Sequence, residues 1–320
     1  MAGRQEKKPG VGEQGEGFLL QAVELGVHRR LMLPSVSESS LAGAGWYAAQ
    51  QMSTSSRMLG IDAGATLCKL ALSCERPQTA LIPSTHFDAV RQQIERWRPD
   101  RILATGGRAK QLGERVAGLE PRWVSEVDAW ARGASVLARR QGLELPPRYV
   151  LVSLGTGTSV LEVRGDKGTR IGGTALGGGT LVGLGRMLLQ AGSFQELTQL
   201  ARRGDRRKVD LLVGDIYSDG RAPLPPQVTA SNFGKLASTR DVDLAHALMG
   251  LLGENIALIC SALARLHGLE TVVFGGSTLN DNPTLEQTLE LSTRALGQRP
   301  HFLGTAAFCG ALGAAALGEV

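Results

Sequence analysis

Ile61-Asp62-Ala63-Gly64-Ala65-Thr66-Leu67-Cys68-Lys69-Leu70 and Val152-Ser153-Leu154-Gly155-Thr156-Gly157-Thr158-Ser159-Val160-Leu161 are two renderings of one pattern. Each reads as strand, tight polar turn, strand, with apolar residues flanking small ones that let a backbone approach a ligand closely. A turn of this kind offers N–H groups and hydroxyls to phosphate oxygens. Two such turns facing each other would hold the phosphates of a nucleotide between two lobes. The pair therefore predicts a two-lobed phosphotransferase.

The 320 residues suffice for two compact lobes with a sizeable core. The formal charge of +5 is mild. Its Lys and Arg residues are scattered over 91–101, 139–140 and 202–208 without interleaved aromatics, which reads as solvated helix faces and excludes a nucleic-acid footprint. The four cysteines, Cys68, Cys74, Cys260 and Cys309, form no CxxC pair and fit buried reduced thiols in a cytoplasmic protein. No apolar run approaches the roughly 20 residues that span a bilayer, and Ser35, Ser37, Glu38 and Ser39 interrupt the one candidate for a secretory segment. The expectation is a protein without a membrane partner.

Residues 1–57 stand apart: Gly, Glu, Gln and Ser dominate without a sustained period. They predict a disordered extension, or sequence upstream of the true start, with room for a short helix over 18–31. From Met58 the pattern is mixed α/β. A strand pair is expected over 58–74, a helix over 87–97 and a strand over 101–105 ending in Thr105-Gly106-Gly107. A helix over 109–117, a short strand over 122–124 and a helix from Glu126 to Gln141 follow. The second hairpin occupies 148–163. A glycine-rich stretch over 172–185 leads into a helix reaching 203, and 209–217 with the proline-rich 222–226 forms an irregular insert. A long apolar helix over 244–267, a buried strand over 271–274, and helices over 283–296 and 305–317 complete the chain. Strands alternating with helices imply a largely parallel, buried sheet in each half. The fold class is α/β: a two-lobed, duplicated actin-like ATPase fold of the ribonuclease H type, with the nucleotide cleft between the lobes. The first lobe is expected over 58–147 and the second over 148–320.

Several residues in this frame can carry chemistry. Asp62 ends the first strand just before Gly64, where a carboxylate can hold Mg²⁺ through water beside bridging phosphates. Lys69 can meet phosphate or cap the turn. The run Arg170-Ile171-Gly172-Gly173-Thr174-Ala175-Leu176-Gly177-Gly178-Gly179-Thr180-Leu181 is the most unusual segment. Three glycines before a helix cost chain entropy, and an anion at the helix N-terminus would account for them; a flexible loop is the plain alternative. Glu126, in Ser125-Glu126-Val127-Asp128-Ala129, opens a helix. A carboxylate there could take a proton from an attacking hydroxyl, but spacing alone favours an acidic residue placed by the helix dipole. The motif GxxxxGK[ST] is absent, as are a strand-following GxGxxG, HExxH and GxSxG, and the five histidines show no metal spacing.

Taken together, residues 58–320 resemble the type II pantothenate kinases, bacterial relatives of the eukaryotic pantothenate kinases. The resemblance runs through the first turn, Ala104-Thr105-Gly106-Gly107, Ser125-Glu126-Val127-Asp128-Ala129, 154–159 and 170–185. It continues through Gly204-Asp205-Arg206, 213–217, 223–226, Thr229-Ala230-Ser231-Asn232-Phe233-Gly234, 275–277 and 307–313. It implies ATP-dependent phosphorylation of pantothenate to 4′-phosphopantothenate, the first step of coenzyme A synthesis, with Mg²⁺. By position it implies that Glu126 is the catalytic base, that Arg170 contacts both pantothenate and the moving phosphoryl group, and that Ser159 lies near the substrate. It assigns phosphate contacts to Gly64, Ala65, Thr66, Lys69, Thr156, Gly178, Gly179, Thr180, Leu181 and Val182. Phe194, Gly276 and Ser277 join the nucleotide site. It further implies a homodimer through the long helix, an aromatic residue of the partner subunit closing the substrate pocket, and coenzyme A or its thioesters as inhibitors.

The sequence departs from the family in three places. Ala65 stands where a second glycine is usual, His301-Phe302 replaces tyrosines, and 1–57 has no counterpart. Two other readings are an amino-sugar kinase of the same fold and a non-catalytic nucleotide-binding protein. Glu126 in place of aspartate, with the segment 229–234, counts against the first. The retention of Glu126 and Arg170 counts against the second.

Overall fold

The computed structural model describes residues 56–73, 77–217 and 225–318. The expected extension up to residue 55, the helix over 18–31, Cys74, Pro223 and Leu224 lie outside the described residues. The first sheet is built from β1 (Met58–Ala63), β2 (Leu67–Ser73), β3 (Gln78–Pro83), β4 (Arg101–Thr105) and β5 (Arg122–Trp123), with α1 (Phe87–Trp97) between β3 and β4 and α2 (Glu126–Arg140) after β5. The second is built from β6 (Arg148–Leu154), β7 (Thr158–Arg164), β8 (Lys167–Thr174), β11 (Thr271–Gly275) and β12 (Arg299–Phe302). Between β8 and β11 run α3 (Gly178–Leu189), α4 (Phe194–Ala201), β9 (Leu211–Leu212), α5 (Val213–Ile216), β10 (Thr229–Ser231) and α6 (Asp241–Leu266). The helices α7 (Pro283–Ala295) and α8 (Cys309–Ala316) flank β12.

The two sheets share one plan. The first has the order β3-β2-β1-β4-β5 and the second, read from its other edge, β8-β7-β6-β11-β12. In each, the first three strands form an antiparallel meander and the last two add in parallel beside the first. β1 and β6 are the central strands, and all six residues of β1 are buried, as a strand covered on both faces requires.

Helices α2 and α8 pack on each other between the sheets, and each crosses over. α2 leaves the first sheet and lies on β8 of the second, whereas α8, the last helix, lies on β1, β2 and β4 of the first. Small residues permit this. A Cβ on Gly313 would fall inside the carbonyl of Ala129, one on Gly133 inside that of Cys309, and one on Gly60 inside that of Ala311. The expected division at residue 147 therefore describes chain order, while packing exchanges one helix each way.

Some elements differ from expectation. The helix expected over 109–117 is one 3₁₀ turn, Ala109–Leu112, because Gly113 turns the chain at φ 91° and Ala117 adopts φ 51°. The single helix expected to reach 203 is α3 and α4, broken where Gln190 takes φ 51° and Ser193 caps the second helix by accepting from Glu196 N–H. β3, a mostly exposed edge strand ending in proline, β8, β9, β10 and β12 lie where the sequence predicts no strand. The apolar-run expectation is corrected too: α6 is 26 residues long with an 18-residue window of mean hydropathy 1.7, enough by length and composition to cross a membrane. In the fold 61% of that window is buried, with α3, α4 and α7 against it, so its apolarity serves the core of the second lobe.

Candidate active site

The two polar turns meet. Thr66 Oγ1 and Thr156 Oγ1 lie 2.9 Å apart, hydroxyl to hydroxyl, at the exposed tips of the β1–β2 and β6–β7 hairpins. In the first turn Gly64 N–H donates to Leu67 O at 3.1 Å. Ser84 braces the turn from outside, its hydroxyl donating to Gly64 O at 2.8 Å and its N–H to Thr66 O at 2.9 Å. Ala65 keeps a negative φ, so its methyl is accommodated without backbone strain.

The second turn is held by the glycine run. Gly178 N–H donates to Gly155 O at 2.8 Å and Gly179 N–H to Thr156 O at 2.9 Å. Thr278, behind the turn, adds a hydroxyl bond to Gly155 O at 2.8 Å. Glycine is required because a Cβ on Gly177 would stand 2.5 Å from Thr156 O and one on Gly178 2.7 Å from Thr278 Oγ1. Two of the first N–H groups of α3 thus brace the turn. Thr180 turns its hydroxyl to Ala175 O at 3.1 Å. Leu181 is fully buried in the second-lobe core, with Val182 half-buried beside it. Phe194 opens α4 and packs on the same core. Gly276, at φ 121°, passes so close to Leu154 that no side chain fits, and Ser277 starts a 3₁₀ turn there. A cavity of about 310 Å³ opens beside Gly276, lined further by Leu279, Asn280, Glu286, Phe302 and Thr305. Phe302 stacks on Phe274 with ring centroids 5.2 Å apart, so this aromatic is engaged within its own sheet.

Charged groups gather beneath and beside the turns. Asp62 is 3% exposed and pairs with Lys69 Nζ at 3.3 Å. Burial pushes its carboxyl above the ordinary range, and Lys69 opposes the shift. Gly106, at φ 93°, and Gly310 leave room for this carboxylate, since a Cβ on either would stand 2.8 Å from one of its oxygens. Glu126, exposed at the first position of α2, makes no hydrogen bond or ion pair among the described residues. Its carboxyl is likewise pushed up, by desolvation first and then by the Asp62 charge, with Lys69 opposing. Arg170, on β8, is exposed and equally unpaired among the described residues; its guanidinium covers Gly173, where a Cβ would stand 2.8 Å from Nη2. Gly173 pairs in register with Ser159, so the arginine and this hydroxyl share one wall.

Among the described residues no group of three or more His, Cys, Asp or Glu side chains could hold a metal. One buried carboxylate, Asp62, fits a cation that arrives with the nucleotide and keeps most of its ligands as phosphate and water. Ser84 and Thr278, which brace the turns, carry no sequence signal, because both act across the chain on backbone carbonyls.

Two like-built sheets with touching polar turns define the actin-like ATPase class. Solved structures agree in fold: component A of the (R)-2-hydroxyglutaryl-CoA dehydratase of Acidaminococcus fermentans aligns with TM-score 0.56 at 19% identity, covering 82% of this chain and 96% of that one. A ROK family glucokinase from Streptomyces griseus, in complex with glucose and AMPPNP, aligns with TM-score 0.55 at 14% identity over 82% and 98%. The family model described as Fumble matches residues 135–317. The type II pantothenate kinase of Staphylococcus haemolyticus is 35% identical over 264 residues, 80% of this chain and 98% of that enzyme. The chain belongs to the type II pantothenate kinase family.

Proposed function

We propose that this chain transfers the γ-phosphoryl group of ATP to the primary hydroxyl of pantothenate, giving 4′-phosphopantothenate and ADP at the entry to coenzyme A synthesis. The observation that carries the reading is the meeting of the two turns at Thr66 and Thr156 in a chain of this family.

Phosphoryl transfer asks for positioning and charge neutralisation more than covalent work by the protein. The turns 64–66 and 155–157 cradle the phosphates from opposite lobes, so the Thr66–Thr156 contact parts and each hydroxyl turns to a phosphate oxygen. Lys69 adds positive charge beneath the first turn. Mg²⁺, held through Asp62, supplies further neutralisation when bound. Gly276 and Ser277 border the nucleoside, and Phe194 stands on the same lobe. The hydroxyl oxygen of pantothenate forms the new bond to phosphorus as the bond to the leaving ADP oxygen breaks. Glu126 accepts the released proton, and its raised pKa strengthens it as a base. Arg170 orients the acid substrate and meets the charge on the transferring group with its planar fork, and Ser159 lies beside it. Leu258 on α6, 51% exposed, and Leu291 on α7, 62% exposed, support a homodimer through these helices.

Incubation with Mg-ATP and a panel of pantothenate, pantetheine, N-acetylglucosamine and glucose, read by mass spectrometry, tests the substrate. Phosphopantothenate is expected, and it should vanish in Glu126→Gln while ATP binding persists. A phosphorylated sugar instead would assign the fold's other kinase chemistry, and near-normal turnover in Glu126→Gln would remove the base.

A further inference from the structure

Glu126 and Arg170 come from different sheets. Glu126 follows β5, which pairs with β4 in the first sheet, and Arg170 lies on β8, the edge of the second. The distance between a base and an arginine on two lobes is not fixed by either sheet alone. Something must hold α2 to β8 where these residues stand.

The holding contacts converge on Asp128. Its Oδ1 accepts from Gly168 N–H at 3.2 Å and its Oδ2 from Lys167 Nζ at 3.3 Å. Its own N–H donates to Ser125 Oγ at 3.4 Å, capping the helix that begins at Glu126. Beside it the backbones touch, because a Cβ on Gly168 would stand 2.5 Å from Val127 O. Asp128 is two residues past Glu126, and Gly168 is two residues before Arg170 on the same face of β8. One turn further along α2, Arg132 Nη1 pairs with Asp166 Oδ2 at 2.6 Å, tying down the same hairpin. Lys167 is 80% exposed, so its pair with Asp128 contributes little. The bond that the partly shielded Asp128 Oδ1 accepts from Gly168 N–H is the contact that matters.

We propose that Asp128 is a positioning residue for the transfer: by clasping the β7–β8 hairpin it sets the spacing between Glu126 and Arg170. The inference rests on the roles given above to Glu126 and Arg170.

Steady-state kinetics of Asp128→Ala, Asp128→Asn, Lys167→Ala and Gly168→Ala, with Glu126→Gln beside them, test it. Misplacing a catalytic group by about 1 Å costs on the order of 100-fold, so Asp128→Ala should lose about 10- to 100-fold in kcat while KM for ATP stays within about twofold. Asp128→Asn, whose amide oxygen still accepts from Gly168 N–H, should recover most of that loss, and Lys167→Ala should be near normal. Full kcat in a folded Asp128→Ala overturns the proposal, as does an Asp128→Asn as inactive as the alanine variant, since charge and not the clasp would then matter. If Asp128→Ala does not fold, Gly168→Ala decides by pressing on the same contact from the strand: lost kcat at unchanged KM for ATP supports the clasp, and full kcat overturns it. A dead Glu126→Gln with a normal Asp128→Ala removes only the clasp, whereas an active Glu126→Gln removes the underlying assignment.

Discussion

Glu126 shows how little a residue's chemistry depends on its local sequence. At the head of a helix a glutamate is favoured by the dipole, and nothing within 125–129 distinguishes a base from a cap. The tertiary structure raises its pKa, first by desolvating the carboxyl and then by setting the Asp62 charge near it. The sign follows: the proton-accepting form is lost as pH falls, and a raised pKa brings that loss at higher pH. The acid limb of the kcat/KM profile for pantothenate should therefore lie above 4.5, the ordinary glutamate value. Asp62→Asn should move it lower, because the repelling charge is gone and Lys69 remains. A limb at or below 4.5 in the unaltered enzyme would show that another group limits the rate.

At the scale of elements, glycine marks close backbone approach more often than flexibility. The run 177–179 brings α3 against the β6–β7 turn, and Gly133 and Gly313 bring α2 against α8. Both sets stand out in the sequence, but the partner of each is remote in the chain. Overpacking a tight contact costs about 1–3 kcal/mol or more. Gly313→Val should accordingly lower the melting temperature by several degrees, roughly 2–4 °C per kcal/mol for a domain somewhat smaller than this chain. Thermal unfolding followed by circular dichroism checks it, and an unchanged midpoint would mean that α8 shifts freely on α2. Glu126, on the partner helix, should lose activity in step with any such shift.

Across the whole molecule, a nucleotide held by turns on both sheets, as the proposed function has it, would tie the lobes together. Ligand at 100 times its Kd stabilises by about 2.7 kcal/mol, so saturating Mg-ATP should raise the melting temperature, and Thr156→Val should reduce that rise while moving the unliganded midpoint only slightly, since the Thr66 bond it loses is exposed. An equal rise in the variant would show that the second turn's hydroxyl does not take part. The sequence by itself determined the alternation of strands and helices, the two turns and the family, because strand periodicity, turn glycines and motif order are local properties. It also brought Asp62, Glu126 and Arg170 forward as candidates. Only the tertiary structure decided that α2 and α8 exchange sheets, that Gly178 and Gly179 spend their N–H groups on Gly155 and Thr156, and that the apolar residues of α6 are buried in the second core. Those outcomes depend on which distant backbone groups come within hydrogen-bonding or van der Waals reach, and no local pattern in the chain encodes that distance.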